Sequence, residues 1–342
     1  MNLKDSSYYH SGSPGAWSGR IDDSNDPEAF RWHQAVVPLD LGLAAPPSLS
    51  PGRRGFCILG FLSDAGVERN LGRLGCAAGP ASIRRALADL PNNFYPAAAI
   101  YDGGDILCPD GDLETAQRLL RKAVARILTL GLFPILLGGG HEIALGHYLG
   151  LSDFLNGPGP AIINFDAHFD LRPATGAATS GTMFRQIADI SSEKNRPFSY
   201  CCVGIQKTAN TRNLFQRARE LGVEYILAGE IDKLNFDAVA LRLDEFISRQ
   251  ETIYLTVCAD VFSSAFAPGV SAPQPFGIHP EIGLRLIKHA LASGKVVGFD
   301  IAEVSPRFDN DNQTAKLAAV VIYALVSTLL FNPEGDVGPA DL

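Results

Sequence analysis

Hydrophobic residues along this chain gather in short dense runs, and several runs stop abruptly at glycine, histidine or acidic residues. From Arg54 onward the candidate strands are 54–61, 98–102, 133–140, 161–168, 198–205, 223–228, 252–260 and 296–304. Continuous, β-rich apolar runs of that length read as strands buried on both faces. Between most of them lie stretches with helical spacing, at 81–90, 114–130, 142–155, 210–221, 236–249 and 280–293. A last, very apolar helix is predicted over 313–331. Strand and helix alternating in this way predict βαβ units with right-handed crossovers, hence an α/β fold around a mostly parallel sheet.

Residues 1–50 differ: they are rich in Gly, Ser, Pro and Asp, with Trp17 and Trp32 embedded. The two tryptophans and the Arg31-Trp32-His33 cluster predict an irregular N-terminal segment that packs partly onto the body. No linker, repeat or low-complexity stretch follows, so 51–335 is expected to form a single domain. The formal net charge is -8 and no basic stretch offsets it, which argues against a nucleic-acid or acidic-membrane partner. Six scattered cysteines without a CxxC pair point to a reducing, cytoplasmic setting. The adjacent Cys201 and Cys202 should face opposite sides of a strand. The amino terminus is polar and no run approaches the length that spans a bilayer, so a soluble protein acting on a small molecule is the expectation.

Four of the runs end in donors. Phe133–Leu137 leads into Gly138-Gly139-Gly140-His141-Glu142, and Ala161–Phe165 into Asp166-Ala167-His168-Phe169-Asp170. Ile253–Val257 leads into Cys258-Ala259-Asp260, and Val296–Asp300 into Ile301-Ala302-Glu303. In an open α/β sheet the ligand crevice lies beyond the carboxyl ends of the strands. Four runs therefore carry nitrogen and oxygen donors to one edge, as a metal-assisted hydrolase requires. Cys258 alone breaks the pattern.

Each motif has a plainer alternative. Asp166, His168 and Asp170 alternate along an extended strand end and form half a site for Mn or Mg, or else cap a solvated loop. The triple glycine lets the backbone pass close to a ligand but lacks the Lys-Ser/Thr of a phosphate loop, and a lone His141 could be structural. Cys258 could be a small packed hydrophobe. Asp260 and Glu303 are harder to dismiss, because a buried carboxylate costs several kcal/mol unless paired or metal-bound; for Glu303 the alternative is a salt bridge. The remaining histidines lack such company: His147 and His289 read as helix residues, and His10, His33 and His279 as loop or surface. With no G-x-S-x-G elbow, a serine triad has no support.

Taken together, the glycines before His141, the D-A-H-F-D stretch, the strand ending at Asp260 and the late Glu303 resemble the ureohydrolase (arginase/agmatinase) superfamily. Further segments are similar to its formimidoylglutamase branch: Trp17–Arg20, Arg31–Gln34, Arg69–Arg73, Gly79-Pro80, Phe169–Arg172, Ser180–Gln186, Ala267–Pro273 and Asp300–Glu303. The resemblance spans roughly 17–330 and implies a three-layer α/β/α fold with an eight-stranded sheet. It implies a two-manganese cluster, with His141 and Asp170 on one ion, His168 and Asp260 on the other, and Asp166 bridging. It also implies hydrolysis of N-formimidoyl-L-glutamate to glutamate and formamide, with Glu303 and Asp166 as catalytic carboxylates. Arg172, Arg73, Arg69, Asn70, Ser180 and Arg185 are its substrate-binding candidates, with Arg172 and Arg73 foremost. Ser180 stands where arginases carry an entrance histidine, and a homo-oligomer, trimer-based, is the implied assembly.

The family's second bridging carboxylate falls at 258, and this chain has Cys258 there, followed by Ala259. A thiolate is a soft, single-atom donor, so it shifts preference toward Zn or Fe. An intact pair with altered bridging, a single ion and a metal-free site all follow as alternatives. Retained metal is the expectation, because five other ligand positions persist. The competing functions are an agmatinase- or arginase-like guanidino hydrolase and a metal-poor, non-catalytic protein of the same fold.

Overall fold

Each of the eight apolar runs forms a strand in the computed structural model, which describes residue 3 and residues 6–43, 52–174 and 176–331. They are β3 (Arg54–Leu62), β4 (Ala98–Leu107), β5 (Phe133–Leu137), β6 (Ala161–Phe165), β7 (Tyr200–Ile205), β8 (Glu224–Leu227), β9 (Ile253–Cys258) and β10 (Val296–Ala302). Two short strands in the N-terminal segment, β1 (Tyr9–His10) and β2 (Val37–Pro38), bring the sheet to ten. Two-residue strands carry no periodicity, which is why eight were expected. The order is β1-β4-β3-β5-β10-β9-β6-β7-β8, with β2 also on β4, and only β1 runs antiparallel.

The predicted runs 133–140, 161–168, 252–260 and 296–304 are too long at one end. Their strands stop at Leu137, Phe165, Cys258 and Ala302, so most of the candidate donors sit on the turns that leave the sheet. Three helices were not foreseen: α1 (Trp32–Ala35), α2 (Ala65–Arg69) and α6 (Met183–Glu193). The first two are single turns. The third is helical in spacing, burying Met183, Phe184, Ile187, Ala188 and Ser191, but its other positions, Ile190 apart, are polar.

Helices cover both faces. α3 (Gly79–Ala88), α8 (Phe236–Ser248), α9 (Pro280–Ala292) and α10 (Gln313–Phe331) contribute to one core; α4 (Leu113–Thr129), α5 (Ile143–Leu155), α6 and α7 (Arg212–Glu220) contribute to the other. Cys201 belongs to the first core and Cys202 to the second, as strand alternation requires. Each fully buried ring, such as Phe165 or Phe299, stabilises this packing by about 1.5–3 kcal/mol. α10 corrects the membrane expectation: at 19 residues and mean hydropathy 1.9 it is long and apolar enough to cross a bilayer. Here it packs against α3 and α9, with Ala318, Ile322, Leu325 and Val326 buried.

The N-terminal segment is fastened by a buried polar cluster. Trp17 Nε1 donates to Asp102 Oδ2 at 2.7 Å, and Arg84 pairs with Asp102 and Asp105 at 2.9 and 2.7 Å. Trp32 is fully buried edge-on to Phe94. His10 lies in β1 and His33 in α1 rather than in loops. The boundary near residue 50 and the end near 335 lie outside the described residues.

Candidate metal and substrate site

β5, β10, β9 and β6 are neighbours in the sheet, so the turns leaving their carboxyl ends converge. After β5 the chain threads tightly past β3: Gly139 N donates to Phe61 O and Gly140 N to Ser63 O. A Cβ on Gly139 would stand 2.1 Å from Ser63 O, which is why glycine is needed there. The turn buries His141 at 1 % exposure.

His141 is oriented from behind. Thr256 Oγ1 donates its single proton to Asp300 Oδ1 at 2.5 Å, so toward His141 Nε2, 2.9 Å away, it can only accept. Asp300 also accepts from Tyr254 and lies 2.6 Å from His147 Nδ1. Nε2 therefore carries the proton, and Nδ1 faces the carboxylates: Asp166 Oδ2 at 2.9 Å and Asp170 Oδ2 at 3.2 Å. A carboxylate fixing an imidazole's far nitrogen through an intermediary is the usual support of a metal-ligating histidine.

Asp166 is fully buried and shared. Its Oδ1 accepts the His168 backbone N–H at 2.8 Å, and His168 Nδ1 lies 3.4 Å from that oxygen and 3.3 Å from Asp260 Oδ2. Donor atoms of His141, Asp166 and Cys258 lie within 4.8 Å of one another, and so do those of Asp166, His168 and Asp260. Asp260 Oδ1 is buried without a hydrogen-bond partner among the described residues.

The electrostatics are those of crowded acids. Burial raises the Asp170 carboxyl, and the charge of Asp166 pushes it further, to about 6. For Asp166 burial acts the same way, but the bonds to His141 and His168 outweigh it and hold its carboxyl well below the usual range. Burial opposes charge on both imidazoles, yet their carboxylate partners draw them well above the ordinary histidine value. The Cys258 thiol is pushed well up by burial and then by Asp166 and Asp260. A cation seated among these groups would replace the imidazole protons and give Asp260 Oδ1 the partner it lacks. Two overlapping donor groups sharing Asp166 fit a pair of divalent ions.

Beside the cluster, Glu303 Oε1 accepts the His141 backbone N–H at 2.9 Å and Oε2 lies 3.4 Å from the Cys76 thiol. Burial, with Glu142 and Asp260 nearby, raises its carboxyl to about 8. Glu303 holds φ at 68° and Asp170 at 48°, left-handed values that a glutamate adopts only when its surroundings impose them.

These side chains floor a cavity of about 280 Å³ whose walls include Asn70–Arg73, Arg172, Ser180, Asn210 and Ser271. Asn70 Nδ2 donates to Ser180 Oγ at 3.3 Å. Arg73 lines the cavity, but Val270 O, Ser271 O and the face of Phe308 hold its guanidinium. Arg172 lies along Gly181 and makes no side-chain hydrogen bond or ion pair among the described residues. Arg69 and Arg185 are not brought to the cavity. Arg69 is tied to Glu114, Ala178 O and Gly111 O, and Arg185 to Asp189 one helical turn along α6.

Several contributors went unrecognised in the sequence. Asn210 shapes the D-A-H-F-D turn by accepting from Phe169 N and donating to Ala167 O, and no local motif marks it. Thr256 and Asp300 sit inside apolar strands, where two buried polar residues on adjacent strands were the available clue.

Residues 54–327 match the profile of the arginase family. A formimidoylglutamase of Clostridium tetani is 50% identical over 320 residues, covering 92% of this chain and 94% of its own. One from Aeromonas hydrophila is 43% identical over 312 residues, covering 91% and 96%. Among solved structures, a Mn2+2-containing formiminoglutamase variant of Trypanosoma cruzi superposes with TM-score 0.72 at 26% identity, covering 83% of this chain and 96% of its own. The Bacillus subtilis formimidoylglutamase gives TM-score 0.76 at 21% identity, covering 92% and 97%, a likeness of fold.

Proposed function

We propose, from the premise that this chain belongs to the arginase family, that it hydrolyses N-formimidoyl-L-glutamate to L-glutamate and formamide. One observation carries the reading: Glu303 and Arg172, whose side chain makes no bond among the described residues, line one cavity with two overlapping groups of donors able to hold cations.

His141, Asp170 and Cys258 would hold one ion, His168 and Asp260 the other, with Asp166 reaching both. Manganese suits the oxygen-rich set, and Cys258 makes zinc or iron the competitors. When bound, the ions supply Lewis-acid activation of water at neutral pH. Thr256 and Asp300 keep His141 Nδ1 aimed inward, and Asp166 holds the two halves in register. Glu303 would accept hydrogen bonds from a formimino cation, and its ionised carboxylate, which this contact needs, would be favoured with cations bound beside it. Arg172, with Asn70, Ser180 and the fixed Arg73, is suited to the substrate carboxylates by its planar fork. Water adds to the formimino carbon, and the bond to the glutamate nitrogen breaks as that nitrogen takes a proton, leaving formamide and glutamate.

An arginine-bearing wall with Ser180 disfavours agmatine, which has no carboxylate. We propose a cytoplasmic homo-oligomer, a reading supported by six cysteines that form no disulfide among the described residues and by the family likeness. A substrate panel on metal-loaded protein tests the reaction: formamide release from formimidoylglutamate is expected, and urea from agmatine or arginine in its stead would overturn it.

A further inference from the structure

Glu142 follows His141 directly, is wholly buried, and has no part in the reaction above. Its Oε1 accepts from Ser63 Oγ and from the Gly66 backbone N–H, both at 2.9 Å. Space has been kept for it: a Cβ on Gly140 would stand 2.0 Å from Oε2, and one on Gly66 2.4 Å from Cδ. Gly66 is a junction. Its carbonyl accepts from Ser180 N and from Asn70 N, each at 3.0 Å. Gly66 is the second of the five residues of α2, which runs on to deliver Asn70–Arg73 to the cavity wall. A one-turn helix does not hold itself, so its first turn must be pinned from outside. An apolar side chain at 142 would fill the space and leave Gly66 N and Ser63 Oγ without their acceptor.

We infer that Glu142 is a positioning residue: its carboxylate locks the 65–73 segment and Ser180 to the strand end that bears His141. The substrate wall is thereby set relative to the metal-capable floor by a residue that touches neither substrate nor ion. The inference rests on the proposed hydrolysis only in its kinetic arm.

The experiment compares the full-length wild type with Glu142→Ala and Glu142→Gln, the second of which keeps the Oε1 acceptor. For Glu142→Ala, backbone amide exchange across 65–73 should quicken by about tenfold or more while 166–172 is unaffected. Bound metal should stay at the wild-type level, and KM for formimidoylglutamate should rise about tenfold with kcat within about threefold. Glu142→Gln should restore both the exchange rate and KM. Unchanged exchange in 65–73, parallel loss of metal in both variants, or a fall in kcat at constant KM would each overturn the inference. Should Glu142→Ala not fold, Ser63→Ala must show the same pattern at smaller amplitude, and an unaltered Ser63→Ala refutes it. A wild type inert toward formimidoylglutamate refutes the reaction instead, and the exchange arm then decides alone for Glu142.

Discussion

Two of the buried polar clusters at this sheet differ in how their charge is answered. In the first, Arg84 at 3 % exposure meets Asp102, Asp105 and the Gly104 carbonyl, and Asp102 also accepts from Trp17 and Gly104 N. Only Arg84 Nε is left without a partner. In the second, Asp166, Asp170, Asp260 and Glu303 crowd together with two imidazoles as the nearest cationic groups, and Asp260 Oδ1 has nothing to accept from. The first is closed by a guanidinium that the chain supplies. The second leaves room for cations from outside. A buried carboxylate is informative about function only when its counter-charge is missing from the chain.

The contrast breaks most sharply at Asp166. Asp166→Ala should abolish binding of both ions and cut kcat/KM by about a thousandfold, equivalent to roughly 4 kcal/mol, while the protein stays folded. Metal content with circular dichroism on one sample checks this. Arg84→Leu should do the reverse. Removing one partner of a buried pair costs about 3–5 kcal/mol, so the melting temperature should drop while folded molecules keep wild-type metal content. Equal metal loss in the two variants would erase the distinction between the clusters.

Arg172→Ala sharpens the second cluster's account of substrate. Loss of a charged fork should raise KM about tenfold or more with kcat little changed. An unchanged KM would remove Arg172 from the site. Cys258→Asp replaces a soft donor by a hard one, so Mn affinity measured by calorimetry should rise with little change in melting temperature. A packed Cys258 facing away from the ions would instead give several kcal/mol of destabilisation and no gain in affinity. Arg69→Ala should do least: its pairing with Glu114 is solvent-facing, so stability should shift by less than about 1 kcal/mol and KM should hold.

Much of this was legible because parallel strands buried on both faces leave long apolar runs, and polar residues at their ends stand out. His141, Asp166, His168, Asp170, Cys258, Asp260 and Glu303 were all picked on that ground or by resemblance, and the structure brings them together. Arginines were harder. The resemblance marks Arg69 and Arg172 alike as substrate-binding candidates, and no sequence pattern shows that Glu114 holds one and nothing described holds the other. Asn210, Thr256, Asp300 and the carboxylate of Glu142 act through partners far away in sequence, which no local pattern can show.

The place of β10 in the sheet has a consequence for how the protein is made. Residues 296–302 insert between β5 and β9, and β5 was synthesised well over a hundred residues earlier. A chain still emerging from the ribosome can pair β3, β4 and β5, and separately β6 through β9, but the two blocks lack the strand that joins them. Parallel pairing at such sequence separation is slow, and its open edges invite aggregation meanwhile. Glu303 leaves the ribosome just after that strand, so a nascent chain carries every donor from His141 to Asp260 before the carboxylate proposed to meet the substrate has been made.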